Sequence, residues 1–308
     1  MSRIAKLAAI RLLVAALVLF GVFTITFFMM RLAPGGPFTT MKGASPELAA
    51  NLDKRFGLDE SVGAQFISTL GGYLVGDLGP SMSFSPGEPV ADILARSLPV
   101  SLELGFWALL LAIVLGVVFG TLSGLRPGGP VDLSISFVML GLVSASIIVV
   151  GALFRKVFIV DLGWFSLGGF DSFSNKVLPS LTLGLAYTAI LGRLVRGGVA
   201  AQAGDRTLGS IMARGVPHRV AVVRYVVPRA LIPMLSYLGP AVAGILTGSF
   251  VVETLFEVPG VSACFIQGAA ARDYTLVSGA IMTYAAVLMV ANVAFETMHS
   301  LLDPRERN

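Results

Sequence analysis

Charged residues, cysteine and histidine are all scarce in this sequence. Only 13% of its 308 residues are charged, whereas a soluble domain carries about 25%. Apolar residues make up 55% of the chain, and the mean hydropathy is +0.85. A chain with so little polar surface cannot coat a water-soluble globule. The composition therefore excludes an ordinary cytoplasmic enzyme, a disordered protein and a nucleic-acid binder with a basic face.

Residues and motifs that carry chemistry are also missing. The single cysteine, Cys264, excludes an intrachain disulfide and a multi-cysteine metal site. The two histidines, His218 and His299, form no HExxH pair, and neither GxSxG nor GxxxxGK[ST] occurs. We therefore predict that the chain is not an enzyme, holds no metal or cofactor, and does not hydrolyse ATP by itself.

The apolar residues are gathered into six blocks, each a candidate membrane-spanning helix. The first, residues 12–30, has nineteen residues without a charge, enough to cross a hydrocarbon core of about 30 Å. It exceeds the roughly 7–15 residues of a signal-peptide core, and no A-x-A site follows, so we predict a retained span. The other five blocks are residues 100–125, 133–154, 178–191, 231–252 and 276–302.

Residues 32–98, between the first two blocks, differ in composition. They hold eleven charged residues, several prolines and the glycine-rich stretch GGYLVGDLGP, and no part of them could span a bilayer. We predict a small extracytoplasmic domain with short helices near residues 46–56 and 60–74. The predicted divisions are a tail and first span (1–31), this domain (32–98), a five-helix core (99–302) that includes a cytoplasmic loop (193–229), and a cytoplasmic tail (303–308).

The placement of basic residues indicates which side of the membrane each segment occupies. With a cytoplasmic N-terminus, the inner segments hold 13 of the 22 lysines and arginines in 61 residues. The outer segments hold the other nine in 114 residues. Basic residues are therefore denser in the inner segments, and we predict that both termini are cytoplasmic.

Residues 193–229 form the longest of the predicted cytoplasmic segments. They contain seven arginines, no lysine and a single acid, Asp205. Binding of anionic lipid headgroups, or the enforcement of topology alone, accounts for this charge. Neither accounts for the length, nor for a helix-compatible stretch, Arg206–Ala213, that is followed by Gly215. A structured contact for a partner is the alternative, and both explanations remain open at this point.

Glycines recur at a spacing of four in two of the predicted spans. Small residues at this spacing line one helix face and allow two helix backbones to approach closely. We predict packing within the subunit rather than a dedicated dimer face. The glycines concerned are Gly116, Gly120 and Gly124 in the second span and Gly244 and Gly248 in the fifth.

A series of short motifs runs nearly from end to end of the chain. They resemble the motifs of the membrane-spanning permease subunits of bacterial ABC importers for dipeptides and oligopeptides, and most closely the first permease of the pair. One departure is Gly36, where the family has Asp, and another is that the positions of the family's cytoplasmic EAA motif read Gly209, Ser210 and Ile211 here. The motifs are RLAPGGP at 31–37, FGLDE at 56–60, GDLGPS at 76–81, LPVSLELG at 98–105, GRLVRG at 192–197, VVETLFEVPG at 251–260, ARDY at 271–274 and LLDPR at 301–305.

The resemblance implies a fold and a coupling site. The fold is all-α with six transmembrane helices, the ABC transporter type-1 transmembrane domain. In the family, a cytoplasmic helix followed by a conserved glycine and proline contacts the ATPase subunit, and Gly215 and Pro228 match those two positions. A glycine there allows a positive φ after the helix. The residues implied in coupling are Arg206, Thr207, Ser210, Ile211, Ala213, Arg214, Gly215 and Pro228.

The resemblance also implies outer-face residues and partners. Docking or gating toward a binding protein is implied for Asp59, Glu253, Glu257, Pro259, Gly260, Arg272 and Asp273. The implied partners are a second homologous permease, one or two ABC ATPases that hold ATP and Mg²⁺, an extracytoplasmic substrate-binding protein, peptide cargo and membrane lipid, with no nucleic acid. The implied location is the bacterial inner membrane.

Two other functions stay open on the sequence. The first is an importer of the same family for another cargo, such as nickel, haem or sugar-linked peptides. The second is a secondary transporter or channel that works alone. The coupling-type segment with Gly215 and Pro228 argues against the second alternative.

Overall fold

The computed structural model describes residues 3–32, 38, 51, 54, 56–203 and 206–302. Within these residues the chain is helical, and extended backbone pairs at one isolated bridge, between Pro80 and Pro89. Two short stretches, Arg155–Asp161 and Val222–Val226, are π-helical. The named α-helices are α1 Arg3–Leu32, α2 Val62–Leu74, α3 Val90–Gly124, α4 Pro130–Ser144, α5 Ile147–Phe154, α6 Phe173–Ala203, α7 Arg206–Ala213, α8 His218–Ala221, α9 Val227–Ala230, α10 Ile232–Phe256, α11 Val261–Ala270 and α12 Tyr274–Leu302.

Five helices of the described chain are long and apolar enough to cross a membrane. They lie in α1, α3, α6, α10 and α12. A sixth candidate is the pair Pro130–Ser144 and Ile147–Asp161, whose axes meet at 102°. The prediction of six apolar blocks therefore agrees with the structure, provided that this bent pair counts as one span.

Three of the predicted spans differ from the structure in their bounds or their continuity. The third block is not one continuous helix, because Ala145 and Ser146 have extended backbone with ψ of 131° and 135°. The fourth span, predicted as residues 178–191, extends over all of α6. The second span begins at Val90, so the predicted domain boundary after residue 98 falls inside α3. Charged and polar residues near a helix end lower the local hydropathy without ending the helix.

The described chain divides into two compact units. The first comprises described residues of Met1–Val100 and Pro259–Val293. Its α2 begins after Ser61, whose Oγ accepts a hydrogen bond from Ala64 N at 3.3 Å. This agrees with the helix predicted near 60–74, whereas most of the helix predicted near 46–56 lies outside the described residues. The core of this unit contains Val90, Ile93, Leu94, Val261, Cys264, Leu276 and Ala280.

An aromatic cluster joins α1 to α2 within the first unit. The ring of Phe66 on α2 contacts four rings of α1 at centroid distances of 5.1 to 6.4 Å. Near the end of α1, Arg31 Nε and Nη2 donate to Gln65 Oε1 at 2.9 and 2.6 Å. Both side chains line a cavity of about 760 Å³. Arg31, the first residue of the RLAPGGP motif, therefore ties the two helices together.

The second unit comprises described residues of Ser101–Val258 and Ala294–Asn308. Its centre is α6, against which α4, α5, α9 and α10 pack. A core cluster of this unit joins α3, α6 and the chain from Val226 to Met234. The buried members of that cluster are Ala112, Leu191, Val195, Val199, Val226, Ala230 and Met234.

Candidate functional site

The segment predicted to couple to a partner is a short helix that ends in a sharp turn. Helix α7 covers Arg206–Ala213, the stretch that the sequence pattern indicated. Arg214 N donates to Ile211 O at 3.2 Å, and Gly215 N donates to Met212 O at 2.9 Å. Gly215 has a φ of +84°, in the left-handed region that glycine adopts without strain. The helix and the positive φ at Gly215 are thus confirmed.

The described side chains of this segment are largely exposed. Ala213, Arg214 and Gly215 are exposed, and Ile211 is half-buried. A Cβ placed on Gly215 would meet no atom within 4 Å. The side chains of Arg206, Thr207 and Ser210 lie outside those described, and Pro228 is exposed in the first turn of α9. The described side chains of the segment therefore form an open surface, and a role in coupling stays a prediction for all eight residues.

The two chain segments that flank α7 pack against each other. A Cβ placed on Gly198 of α6 would lie 2.6 Å from Ala230 O of α9. Val199 of α6 and Val226 and Ala230 belong to one buried cluster. The segment before α7 (the end of α6) and the segment after it (α9) are therefore packed against each other. Such packing resists deformation, because protein interiors are close-packed and transmit strain.

The glycine stripe of α3 lies against the same part of α6. A Cβ on Gly116 would lie 3.1 Å from Leu191 Cβ, and a Cβ on Gly120 would lie 2.5 Å from Gly192 O. At Gly124 the corresponding distance to Arg196 O is 2.7 Å. In α10, Gly244 lies against the Tyr187 ring, and a Cβ on Gly248 would lie 3.1 Å from Leu183 Cδ1. All five glycines therefore pack inside this unit, as expected from their spacing.

An ion pair with a buried carboxylate, which the sequence pattern did not predict, connects α4 to α6; the Arg196 side chain is 35% exposed. Arg196 Nε donates to Asp132 Oδ1 at 2.6 Å, and Arg196 Nη2 donates to Asp132 Oδ2 at 2.7 Å. Ser123 Oγ also donates to Oδ1, and Gly128 N donates to Oδ2 at 2.8 Å. The Asp132 side chain is 3% exposed. Proline and aspartate in a first turn, as at Pro130 and Asp132, are typical of a helix start, but only the fold identifies the partner of Asp132.

A second ion pair joins α3 and α6 near the other end of α6. Lys176 Nζ lies 2.5 Å from Glu103 Oε1, and Trp107 Nε1 donates to the same oxygen at 3.2 Å. The Glu103 side chain is 41% exposed. The carboxylate of Glu103 therefore accepts one hydrogen bond from Lys176 of the neighbouring α6 and one from Trp107 of its own helix.

Asp273, one of the predicted outer-face residues, is a buried hydrogen-bond acceptor in the first unit. Its Oδ2 accepts from Ser81 Oγ at 2.5 Å, Ser83 N at 2.9 Å and Phe84 N at 3.1 Å. Its Oδ1 accepts from Leu276 N at 2.9 Å at the start of α12. Burial opposes ionisation, but these hydrogen bonds together hold the pKa of Asp273 below its usual value. Asp273 thus joins the loop at Ser81 to α12.

The structure separates the predicted outer-face residues by exposure. Asp59 and Glu257 are exposed, whereas Glu253 and Asp273 are fully buried. Burial of these two acids is incompatible with direct contact at a docking surface in this state, so the prediction for them needs that correction. Arg272 has a φ of +55° next to Asp273, and Pro259 and Gly260 precede α11. A gating role for the group stays a prediction.

Glu257 ends α10 in a left-handed conformation. Its φ is +56°, and Val258 N donates to Glu253 O at 2.9 Å, which satisfies a terminal carbonyl of the helix. Arg155 Nη1 donates to Leu255 O at 2.9 Å, and Arg155 Nη2 lies 3.4 Å from Glu257 Oε1. Gly168 N donates to Phe256 O at 3.2 Å. The VVETLFEVPG motif thus includes a helix end that contacts Arg155 of the bent pair and the loop that follows this pair.

Two family profiles together match almost the whole chain. Residues 106–308 match the binding-protein-dependent transport system inner membrane component, and residues 4–105 match the N-terminal part of such membrane components. The oligopeptide transport system permease protein OppB of Salmonella typhimurium is 37% identical over 300 residues, covering 96% of this chain and 97% of the relative. The dipeptide transport system permease protein DppB of Lactococcus lactis is 32% identical over 297 residues, with 96% and 97% covered.

Solved structures share the fold at lower sequence identity. An amino acid ABC transporter crystallised with histidines superposes with a TM-score of 0.51 at 20% identity, covering 70% of this chain and 94% of that chain. The MetNI methionine ABC transporter, in an inward-facing conformation, gives 0.57 at 14% identity, with 68% and 96% covered. The fold is therefore that of ABC transporter type-1 transmembrane domains. With profiles and relatives that extend over nearly its full length, the chain belongs to the family of binding-protein-dependent transport system inner membrane components.

Proposed function

We propose that this chain is one of two permease subunits of an ATP-driven importer for di- or oligopeptides. The observation that carries the proposal is the near full-length similarity to relatives named as oligopeptide and dipeptide permeases. The exposed α7 with its left-handed Gly215 supports it, because a stand-alone transporter has no need of such a contact. ATP and Mg²⁺ would be bound by separate ATPase subunits, since this sequence contains no phosphate-binding loop.

The proposed orientation places α7 in the cytoplasm and the loops around Asp59 and Glu257 outside. The support is the higher density of lysine and arginine in the segments assigned to the cytoplasm. In this orientation α7 faces the compartment that contains ATP. The outer loops would then face a substrate-binding protein, which would deliver the peptide.

Isolation of the protein from its native membrane tests the proposed assembly. A tagged chain, extracted in mild detergent, should co-purify with a second permease and with ABC ATPase subunits identified by mass spectrometry. Uptake by the reconstituted complex should require ATP. Uptake by the purified chain alone, driven by an ion gradient, would support the secondary-transporter alternative and contradict the proposal.

The cargo is tested by competition. Unlabelled di- and oligopeptides should inhibit uptake of a labelled peptide, whereas nickel and haem should not. Inhibition by nickel or haem alone would assign the chain to an importer of the same family with a different cargo.

A further inference from the structure

The Asp132–Arg196 pair lies outside the residues implied in coupling, but it holds the helix that leads into α7. Both oxygens of Asp132 accept a hydrogen bond from Arg196, and the carboxylate also accepts from Ser123, Gly128 and Ser136. These donors belong to the end of α3, the following turn, α4 and α6. One carboxylate therefore joins three helices at a single point.

The position of this point on α6 distinguishes it from an ordinary ion pair. Arg196 follows Val195 and precedes Gly198 and Val199, which pack on the return segment at Ala230. The end of α6 is therefore held by α3 and α4 as well as by α9, just before the chain enters α7. A displacement of α7 would reach α4 through this pair.

Stability alone gives a weak reason for an ion pair whose carboxylate is buried. The desolvation of two charges often cancels their attraction, and apolar residues of similar volume can be equally stable. A bidentate guanidinium–carboxylate pair, in contrast, fixes the relative position of two backbones, because both partners are planar. The geometry thus favours a role in setting the register of α4 on α6.

We propose that Asp132 is a positioning residue, which through Arg196 makes the inner ends of α3, α4 and α6 move together with α7. The inference rests on the proposed function, in which α7 receives the motion of an ATPase subunit. Without the bond to Asp132, α6 would still pack, but motion at α7 would be lost between helices instead of reaching the transport path.

The reconstituted complex provides the functional test. Asp132→Asn should reduce ATP-dependent uptake per assembled complex by about tenfold or more. Basal ATP hydrolysis should persist, while its stimulation by loaded binding protein should be lost. Arg196→Lys, which keeps the charge but not the bidentate geometry, should be intermediate, and Arg196→Met should behave like Asp132→Asn. A merely structural role predicts instead that uptake per assembled complex is unchanged in all three variants.

Glu103→Gln is the matched control, because it breaks the ion pair between Glu103 and Lys176, which lies near the other end of α6. Glu103 is partly exposed, so uptake and stimulation should stay within about twofold of wild type. Asp132→Asn with normal uptake and stimulation would overturn the proposal. Equal loss of coupling in Glu103→Gln would also overturn it, since the effect would then not depend on the end of α6 near α7.

A distance measurement tests the same idea without transport. Spin labels at residues 131 and 213, both exposed, are introduced after Cys264→Ala. Wild type should give one narrow distance distribution, and Asp132→Asn should broaden it. An unchanged distribution overturns the proposal even if the wild-type complex imports no peptide. If the wild-type complex imports no peptide but Asp132→Asn still broadens the distance distribution, only the proposed function is contradicted.

Discussion

Gly215 joins an exposed helix to the returning chain through one left-handed residue. No atom lies within 4 Å of a Cβ placed there, so substitution is resisted by the backbone conformation and not by crowding. Valine disfavours a positive φ more than most residues do, because of its branched Cβ. The turn therefore offers a way to change the orientation of α7 without changing the packing of the unit.

Gly215→Val should strain this turn by about 1–2 kcal/mol. That cost is small enough for the protein to insert and accumulate, but ATP-dependent uptake and stimulated ATP hydrolysis should fall sharply. Gly215→Asn is the matched control, since it adds a side chain at the same open position but tolerates a positive φ far better than valine does. If the segment only binds anionic lipid through its arginines, the glycine is not needed, and both variants should transport normally.

Asp273 gives a prediction about stability and pH. Asp273→Asn should lower the free energy of unfolding by about 2 kcal/mol at neutral pH, because a buried charged acceptor is lost. The pKa of Asp273 is lowered in the folded protein, so its contribution is present above pH of about 4 and is lost as the pH falls through the folded-state pKa.

Thermal unfolding of the purified complex at several pH values measures this effect. The difference between wild type and Asp273→Asn should be constant near neutrality and should narrow below pH of about 4. Asp59→Asn, which changes an exposed carboxylate, should shift stability by no more than about 0.5 kcal/mol. A difference that widens on acidification would contradict the assigned hydrogen bonds.

Single residues differ in how far the sequence could predict them. The positive φ at Gly215 followed from local information, since a glycine after a helix-compatible stretch indicates a left-handed cap. The role of Asp132 did not, because its partner Arg196 is 64 residues away and only tertiary packing brings them together. The burial of Glu253 and Asp273 was missed for the same reason, since acidic side chains are seldom fully buried and only the fold shows what surrounds these two.

At the scale of helices, the glycine stripe of α3 sets the distance between α3 and α6. The backbone carbonyls of Gly192 and Arg196 lie where side-chain atoms of α3 would otherwise be. A backbone atom cannot rotate away as a flexible side chain does. The separation of the two helices must therefore increase if the stripe is filled.

Gly120→Ala should destabilise the protein by about 1–3 kcal/mol, as expected for an overpacked contact. Its added methyl group would lie 2.5 Å from Gly192 O and 2.7 Å from Val195 Cβ. Gly197→Ala is the control on the facing helix, because nothing lies within 4 Å of its Cβ. The effect of each variant is measured by the yield and thermal stability of the assembled complex. Equal stability of Gly120→Ala and Gly197→Ala would contradict this packing of α3 on α6.

Helix existence was easier to predict than helix bounds. Long apolar runs identified the spans, since a bilayer imposes a minimum apolar length. The 102° bend between α4 and Ile147–Asp161 left no clear signal, because the residues at the bend, Ser144, Ala145 and Ser146, include neither glycine nor proline. Hydropathy reports transfer to lipid and contains no information on backbone dihedrals.

For the whole molecule, the proposed orientation predicts which residues an impermeant thiol reagent can reach. Cysteines placed at Asp59 and Glu257 should be labelled in intact cells, whereas a cysteine at Arg214 should be labelled only after the cells are opened. All three positions are exposed, and the natural Cys264 is buried. Labelling of the Arg214 position in intact cells would reverse the assignment of sides.

The architecture of the chain was predictable from composition and motifs, whereas its division into units was not. The first unit combines residues before Val100 with residues after Pro259, because Asp273 and the core at Val90 bring distant segments together. The predicted division, with one domain between the first two spans, used only continuous stretches of sequence. It therefore could not describe a unit that is built from two separate stretches. Long-range contacts of this kind depend on the folded arrangement.

The central claim is that this chain moves peptide only when an ATPase acts through α7. The most direct measurement is uptake of labelled peptide by proteoliposomes that contain the assembled complex, loaded binding protein and ATP. We predict uptake with ATP, none with a non-hydrolysable analogue, and a sharp loss in Gly215→Val but not in Gly215→Asn. Uptake that continues without ATP, or that is unaffected by Gly215→Val in a fully assembled complex, would contradict the account.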